Sequence, residues 1–227
     1  MIKFSPANAK LRKLAKALGV KANSIWSFDL PAGRTCPGAD ICKSMVVKGK
    51  IKDGLNCLVR CYAASQEVMY PYTHRMRMNN LGELLMQGHD NWQGMRDLLI
   101  SEIPHNARII RIHSSGDFFS PHYFRAWCAV LAERSDLIGY GYTKSLAIVR
   151  EYQRHIPVNL RLTASVGGKF DRLISGLGLP SVTIVRDQAH ADSLGLPVDS
   201  DDSHAYMANQ SFALVVHGTQ PKGGARI

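Results

Sequence analysis

The second half of the chain alternates short apolar runs with stretches of helical periodicity. Apolar runs rich in β-branched residues predict five strands, at 108–113, 137–142, 159–165, 182–186 and 212–216. Apolar residues at helical spacing predict the intervening helices, at 123–133, 145–155, 170–174 and 188–194. With a further strand at 24–30, this alternation predicts a parallel sheet built from right-handed β/α units. We therefore expect an α/β fold, a six-unit β/α partial (TIM-like) barrel, with an open doubly wound sheet as the alternative.

The first half of the chain has a different organisation. The first twenty residues predict a basic amphipathic helix, and residues 62–103 predict two helices separated at Pro71. Between them, residues 31–61 are rich in Gly, Lys and Cys and show little periodicity, which is typical of a functional loop or one held by something else. We expect a single domain, 1–227, with an N-terminal helical segment and a cysteine-rich loop at 31–61. The acidic stretch at 197–210 predicts a solvent-facing loop.

Composition narrows the class of protein. Hydrophobic residues make up 45 % of the 227 and charged residues 20 %, which is typical of a globular chain. No apolar run approaches the roughly 18–20 residues of a membrane span, and the N-terminus lacks an apolar signal core, so we expect a cytoplasmic protein without membrane contact. The formal charge of +10 makes nucleic acid a candidate partner, and Tyr62, Tyr70 and Tyr72 are candidates for base stacking. The alternative, which we prefer at this stage, is a solvated basic surface with the aromatic residues packed inside.

Four of the five cysteines are clustered, as Cys36-x5-Cys42-x14-Cys57-x3-Cys61. In a reducing cytosol, clustered cysteines hold metal more often than they form disulfides. Four thiolates complete either a tetrahedral zinc site or a four-iron cluster, and only the Cys57–Cys61 pair has a spacing typical of zinc ribbons. We therefore predict an iron-sulfur protein with a [4Fe-4S] cluster held by all four. The alternative is a closed zinc site in a zinc-stabilised nucleic-acid-binding protein. The fifth, Cys128, lies in an apolar helix and is expected in the core.

Residues that follow parallel strands meet at one edge of a sheet, where β/α proteins place their sites. Here these residues include His113, Arg186, Asp187 and His217, and the ones we predict to bind a cofactor are Ser115, Gly116, Asp117, Lys144 and Ser165. An acidic group at 117 can accept hydrogen bonds from an ammonium, and a lysine at 144 can bind an anion. The alternatives are that Asp117 and Ser120 cap the helix at Pro121, and that Lys144 is an ordinary surface lysine. We expect the two histidines in the core or at its rim.

Several of these segments together resemble the phage gene product 88 family, and the run ending Cys61-Tyr62-Ala63 resembles the cysteine motif of phage-associated radical-SAM-like proteins. The resembling segments are 31–39 (PAGRTCPGA), 57–63 (CLVRCYA), 113–120 (HSSGDFFS) and 142–145 (YTKS).

The resemblance implies a six-unit partial barrel with an iron-sulfur cluster near its mouth, in the host cytosol if phage-encoded. Residues 115–117 are in the place of the motif that contacts the amino group of S-adenosylmethionine in radical SAM enzymes, which makes this compound a candidate co-substrate. If all four thiolates bind iron, however, no iron is open to it, and the cluster is then structural or serves electron transfer. The C-x3-C-x2-C spacing of radical SAM enzymes is absent, because Ala64 stands where a third cysteine would follow Cys57 and Cys61. Catalytic residues, and whether the chain is an enzyme, stay open.

Overall fold

The computed structural model describes residues 1–221 and 224–227. Within them the β-strands are β1 (Phe4–Pro6), β2 (Ile25–Phe28), β3 (Ser44–Val47), β4 (Lys50–Asp53), β5 (Ile109–Ile112), β6 (Ile138–Thr143), β7 (Leu160–Ser165), β8 (Ser181–Val185) and β9 (Phe212–Val215). The α-helices are α1 (Ala9–Leu18), α2 (Tyr62–Met69), α3 (Pro71–Met86), α4 (Trp92–Glu102), α5 (Pro121–Glu133), α6 (Leu146–Tyr152), α7 (Ile174–Leu177), α8 (Gln188–Ser193) and α9 (Ser203–Met207). No helix in these ranges is long and apolar enough to cross a membrane.

Seven strands form one sheet in the order β1-β2-β5-β6-β7-β8-β9. All six strands predicted from the sequence are present, as β2, β5, β6, β7, β8 and β9. Neighbours in this series are paired in parallel. This order does not reverse, so the doubly wound alternative is wrong. The sheet is open, with the short antiparallel strand β1 at one edge and β9 at the other, and it does not close into a barrel.

The two faces of the sheet are covered by different helices. Alternation along β5 sends Ile110 and Ile112 into the large core, which Trp127 of α5 and Leu99 of α4 also enter. Ile109 points to the other face, into a smaller core that residues of α1 and α9 share with the amino-terminal halves of the strands: Leu11, Leu14, Ile25, Tyr140, Val182, Ala205 and Phe212. Helices therefore close this second face near the strand starts, while the carboxyl ends remain available for a site.

Three sequence-based expectations about the first half are wrong in detail. Residues 4–6 form β1 instead of helix, and α1 begins only after Asn8, whose side chain accepts from the Leu11 N–H at 3.0 Å. The loop 31–61 contains the hairpin β3–β4, which turns through Lys48 and Gly49, both at positive φ as two-residue hairpins favour. The predicted second helix of 62–103 is two, because residues 87–91 interrupt it and Asn91 caps α4.

Two expectations about burial are also corrected. Tyr70 and Tyr72 are 55 % and 63 % exposed at the bend between α2 and α3, so these aromatics do not pack inside. The acidic stretch 197–210 is not a solvent-facing loop, because it contains α9 and because Asp199 and Asp202 are buried.

Asp202 is buried because its carboxylate neutralises two cations, Arg111 and Lys10. Its carboxylate lies 2.6 Å from Arg111 Nη1 and 2.6 Å from Lys10 Nζ. It also accepts hydrogen bonds from the hydroxyls of Tyr140 and Tyr142, at 3.1 and 2.9 Å. Burial alone would raise the pKa of Asp202, but Arg111 and Lys10 outweigh it and hold the pKa below its usual value. This carboxylate thus fastens α1, the sheet and the start of α9 together.

Replacing Asp202 by Asn should remove about 3–5 kcal/mol of unfolding free energy, because it leaves Arg111 buried without a counter-charge. Asparagine tolerates the positive φ of this position, 68°, so backbone strain does not contribute. The measurement is urea unfolding at neutral pH. Asp136→Asn is the control, since the Arg134–Asp136 pair is exposed and should change stability by less than about 1 kcal/mol. Equal losses in the two variants would contradict the role of Asp202.

Candidate functional site

A cavity of about 190 Å³ lies at the carboxyl ends of the parallel strands, beneath the cysteine-rich loop. Its wall combines residues of that loop with residues that follow β5 and β6 and with Ser165 at the end of β7. The sequence-predicted residues that line it are Cys36, Cys42, Cys61, Ser115, Gly116, Asp117, Lys144 and Ser165. Three of the four predicted metal ligands and all five predicted cofactor-binding residues thus share one cavity.

Cys61 immediately precedes the N-terminus of α2. Burial raises the pKa of its thiol, while the backbone N–H groups of Ala64 and Ala63 act in the opposite direction. Unpaired N–H groups at a helix start stabilise negative charge. This position therefore suits a sulfur that becomes a thiolate when it binds metal.

Cys36, Cys42 and Cys61 are close enough for their charges to interact, and Cys42 interacts in the same way with Cys57. Burial raises the pKa of Cys36 well above its usual value, and Asp117, Cys61 and Cys42 raise it further. Burial also raises the pKa of Cys42 to about 11, against the opposing effect of the Lys144 charge. All three thiols are consequently protonated at neutral pH, and a metal that bound them would release protons.

Cys57 differs from the other three because it does not line the cavity. Its thiol donates to the Val59 carbonyl at 3.4 Å and lies 3.6 Å from the Ser44 hydroxyl, which in turn accepts from the Cys61 N–H at 3.3 Å. Within residues 1–221 and 224–227, no three or more His, Cys, Asp or Glu side chains are grouped to hold a single metal ion. Cys128 is buried in α5, as expected.

Asp117 and Lys144 connect the loops that form the cavity wall. The Asp117 carboxylate accepts from the N–H groups of Phe118 and Lys144 and from the Thr143 hydroxyl, at 2.7, 2.8 and 2.7 Å. The Lys144 ammonium donates to the Ser165 hydroxyl at 2.9 Å and to the backbone carbonyls of Ser165 and Val166. The Lys144 ammonium thus donates all three of its protons to oxygen atoms of the protein, and its positive charge acts on the cavity.

The capping alternative holds for Ser120 alone. Its hydroxyl accepts from the Tyr123 N–H at 3.1 Å at the start of α5. Asp117 does not cap α5 and points to the loop after β6 instead.

Two glycines let these loops approach each other. A Cβ on Gly38 would lie 1.9 Å from the Lys144 carbonyl oxygen, and one on Gly116 would lie 2.6 Å from the Thr35 hydroxyl. Gly116 also has a φ of 84°, which other residues rarely adopt. The cysteine loop is therefore in direct contact with the strand-end loops on both sides of Asp117.

The sequence reasoning missed a buried carboxylate that supports this wall. Glu67 of α2 accepts from the Ala32 N–H at 2.9 Å and the Ser115 hydroxyl at 3.3 Å, and it pairs with Arg77 at 3.2 Å. Asp29 accepts from the Ser115 N–H at 3.2 Å. Asp29 follows β2 directly and could have been found by the same strand-end argument if the predicted strand 24–30 had been ended two residues earlier, whereas nothing local distinguishes Glu67 on its helix.

The remaining strand-end residues divide into two groups. His113 is buried at a φ of 70°, its Nε2 lies 2.9 Å from the Tyr123 hydroxyl, and burial lowers its pKa to about 3. His217 lines the cavity. By contrast, Arg186 is exposed and Asp187 caps α8, and neither contributes to the wall.

The sequence matches the family model described as gene product 88 over residues 2–227. The chain belongs to the gene product 88 family. No curated protein and no solved structure matches it. The family part of the resemblance is thereby confirmed, while its iron-sulfur and radical SAM parts stay predictions.

His113 of this gene product 88 chain should make stability depend on pH. Its folded pKa of about 3 lies below the value of 6.5 for a free histidine, so the unfolded chain takes up a proton first. Its contribution is complete above about pH 6.5 and declines on acidification toward pH 3, by at most about 1.4 kcal/mol per pH unit. Asn suits the positive φ, so His113→Asn should flatten the dependence of unfolding free energy on pH between about 5 and 7.

The matched control for His113→Asn is His155→Asn at an exposed position. It should keep the pH dependence of the unmodified protein. Urea unfolding at several pH values measures both variants, and indistinguishable slopes for the two would contradict the assignment to His113.

Proposed function

We propose that this gene product 88 protein binds a [4Fe-4S] cluster in the cavity at the carboxyl ends of its strands. The observation that carries the proposal is the presence of three thiols, Cys36, Cys42 and Cys61, on the wall of one cavity. Thiolates are the ligands that iron-sulfur clusters use in proteins. The sequential strand order is also that of part of a β/α barrel, which supports the partial-barrel interpretation.

The surroundings of the three sulfurs fit a negatively charged metal centre. The Lys144 charge acts on Cys42, and the N-terminus of α2 acts on Cys61. Both features stabilise thiolates. Among the residues that the structure describes, no acidic side chain neutralises the Lys144 charge by direct hydrogen bonding, because its ammonium donates to neutral oxygens. Asp117 is committed to three donors of its own.

The position of Cys57 disfavours a closed zinc site made of all four cysteines. Four thiolates around one zinc, each at about 2.3 Å, place every sulfur within about 4 Å of the other three. Cys57 would have to give up its contacts with Val59 and Ser44 to join such a site. A cluster spreads its ligand positions over several irons, so the three cavity cysteines can hold it and Cys57 is dispensable.

A cluster held by three cysteines leaves one iron for a further ligand, and the family resemblance implies S-adenosylmethionine. When bound, this co-substrate would supply radical chemistry. The chain's own residues would bind and orient it: Ser115, Gly116 and Asp117 from the loop after β5, and Ser165 from the end of β7. Glu67 and Asp29 keep Ser115 in place from behind, so the loop is preformed.

Anaerobically prepared protein should be brown and contain about four irons per chain, as a four-iron cluster requires. Cys36→Ser, Cys42→Ser and Cys61→Ser should each lose most of the iron and the visible absorption. Cys57→Ser should retain them, and so should the control, Cys128→Ala. A colourless protein with one zinc per chain would contradict the proposal, and iron loss in Cys57→Ser would restore the four-cysteine ligand set.

The co-substrate is tested separately on cluster-loaded protein. Incubation with S-adenosylmethionine and dithionite should release 5′-deoxyadenosine, and Gly116→Ala should reduce the yield at least about ten-fold, because its Cβ would displace the loop against Thr35 and Leu30. Gly82→Ala is the control, since a Cβ there meets nothing within 4 Å. An intact cluster that gives no 5′-deoxyadenosine would exclude the radical role and leave an electron-transfer or structural one.

A further inference from the structure

A shallow groove leads from the cavity to helix α1. Leu214, Val215 and His217, at the end of the edge strand β9, line both the cavity and the groove. On its far side the groove is lined by Lys10 and Lys13 of α1. A ligand longer than the cavity can therefore extend along the edge of the sheet and over the basic helix.

The outward face of α1 carries a row of unpaired cations. Arg12, Lys13 and Lys16 are exposed, and the helix contains no acidic residue. Within the described ranges, 1–221 and 224–227, none of the three takes part in an ion pair. The surface beside the groove is thus positively charged.

The acidic residues near the groove do not cancel this charge at the surface. Asp202 is fully buried against Arg111 and Lys10. Asp199 lines the groove, but it is only 4 % exposed, and one of its oxygens accepts from the N–H groups of Asp201 and Asp202. Asp201 is half-buried and accepts from the Ser203 N–H. Two of these three carboxylates, Asp199 and Asp202, are thus withdrawn from solvent, whereas the cations Arg12, Lys13 and Lys16 of α1 are exposed to it.

An aromatic pair lies where the groove enters the cavity. The rings of Tyr62 and His217 have centroids 4.5 Å apart. Partial burial, Lys10 and Arg111 together lower the pKa of His217, so its ring is neutral at pH 7. A neutral aromatic surface beside a row of cations is the combination with which proteins bind bases and phosphates of single strands.

We propose that this groove binds single-stranded nucleic acid, with phosphates along Arg12, Lys13 and Lys16 and one base placed on Tyr62 and His217 at the cavity mouth. A single strand is favoured over a duplex because a base must leave its stack to enter a cavity. The inference extends the proposed function by naming a polynucleotide as the substrate class of the same cavity. The binding surface itself requires no cluster.

The test is fluorescence anisotropy with 5′-fluorescein-labelled oligothymidylate at several salt concentrations. The variant Arg12→Gln/Lys13→Gln/Lys16→Gln should bind at least about ten-fold more weakly, and three lost phosphate contacts should reduce the slope of log K against log salt by about 2. The control is Lys48→Gln/Lys50→Gln/Lys52→Gln on the exposed β3–β4 hairpin, which removes the same charge. The affinity of this control variant for the oligonucleotide should change by less than about two-fold, because exposed charges away from the groove contribute little.

His217→Ala tests the aromatic surface and should weaken binding about five-fold, the low end of what a stacked base contributes. A blunt duplex of the same length should compete poorly. Equal losses in the two triple variants would show that net charge alone attracts the strand and would overturn the proposal, as would absent binding at low salt or a duplex that competes as well as the single strand.

Iron content measured on the same samples separates this proposal from the previous one. Protein that lacks iron but binds the oligonucleotide through α1 would overturn the cluster and leave the groove. Iron-loaded protein that does not bind it would do the reverse.

Discussion

Arg111 is a buried cation at the base of the cavity. Helices α1 and α9 are arranged around the carboxylate that neutralises it. The Arg111 side chain is 6 % exposed, it lines the cavity, and it lies 5.3 Å over the Tyr142 ring. An unpaired charge at this depth would cost several kcal/mol. Asp202 supplies the counter-charge, and because it starts α9, that helix must lie against the sheet.

The same constraint accounts for the position of α1. Lys10 shares the Asp202 carboxylate, while Leu11 and Leu14 pack beside Tyr140 and Val182 on the inner face of the sheet. One helix therefore provides an apolar side that packs against the sheet and a basic side that meets solvent. The groove lies between this helix and the end of β9.

In the cavity wall, buried carboxylates organise the loops. Glu67 links the start of the cysteine loop to Ser115, and Asp117 links the loop after β5 to the loop after β6. Each carboxylate serves donors from two segments distant in sequence, so the wall is cross-connected by hydrogen bonds instead of by a continuous apolar core. Such a wall is rigid only when every donor is satisfied.

The parallel strands and the strand-end residues could be predicted from the sequence because both depend on local pattern: period-two or continuous apolar runs, and the residues that follow them. Ser115, Asp117, Lys144 and Ser165 were found in this way, and they share a cavity. The partners of Asp202 and Glu67 could not be found, since an acidic residue in a polar stretch looks the same whether it faces solvent or a buried arginine many residues away. For the same reason, spacing alone could not show that Cys57 donates to Val59 while Cys36, Cys42 and Cys61 line one cavity.

Burial of acidic residues also changes how the net charge of +10 is distributed. In the described ranges five acidic residues are buried, Asp29, Glu67, Asp117, Asp199 and Asp202, against three cations, Arg77, Arg111 and Lys144. The interior thus contains more acidic than basic side chains, so the net charge of the exterior is more positive than the formal charge of the whole chain. Glu67 and Asp117 hold the loops of the cavity wall together inside the molecule, so their charges do not offset those of the exposed lysines and arginines. A positively charged exterior of this kind attracts anions from a distance.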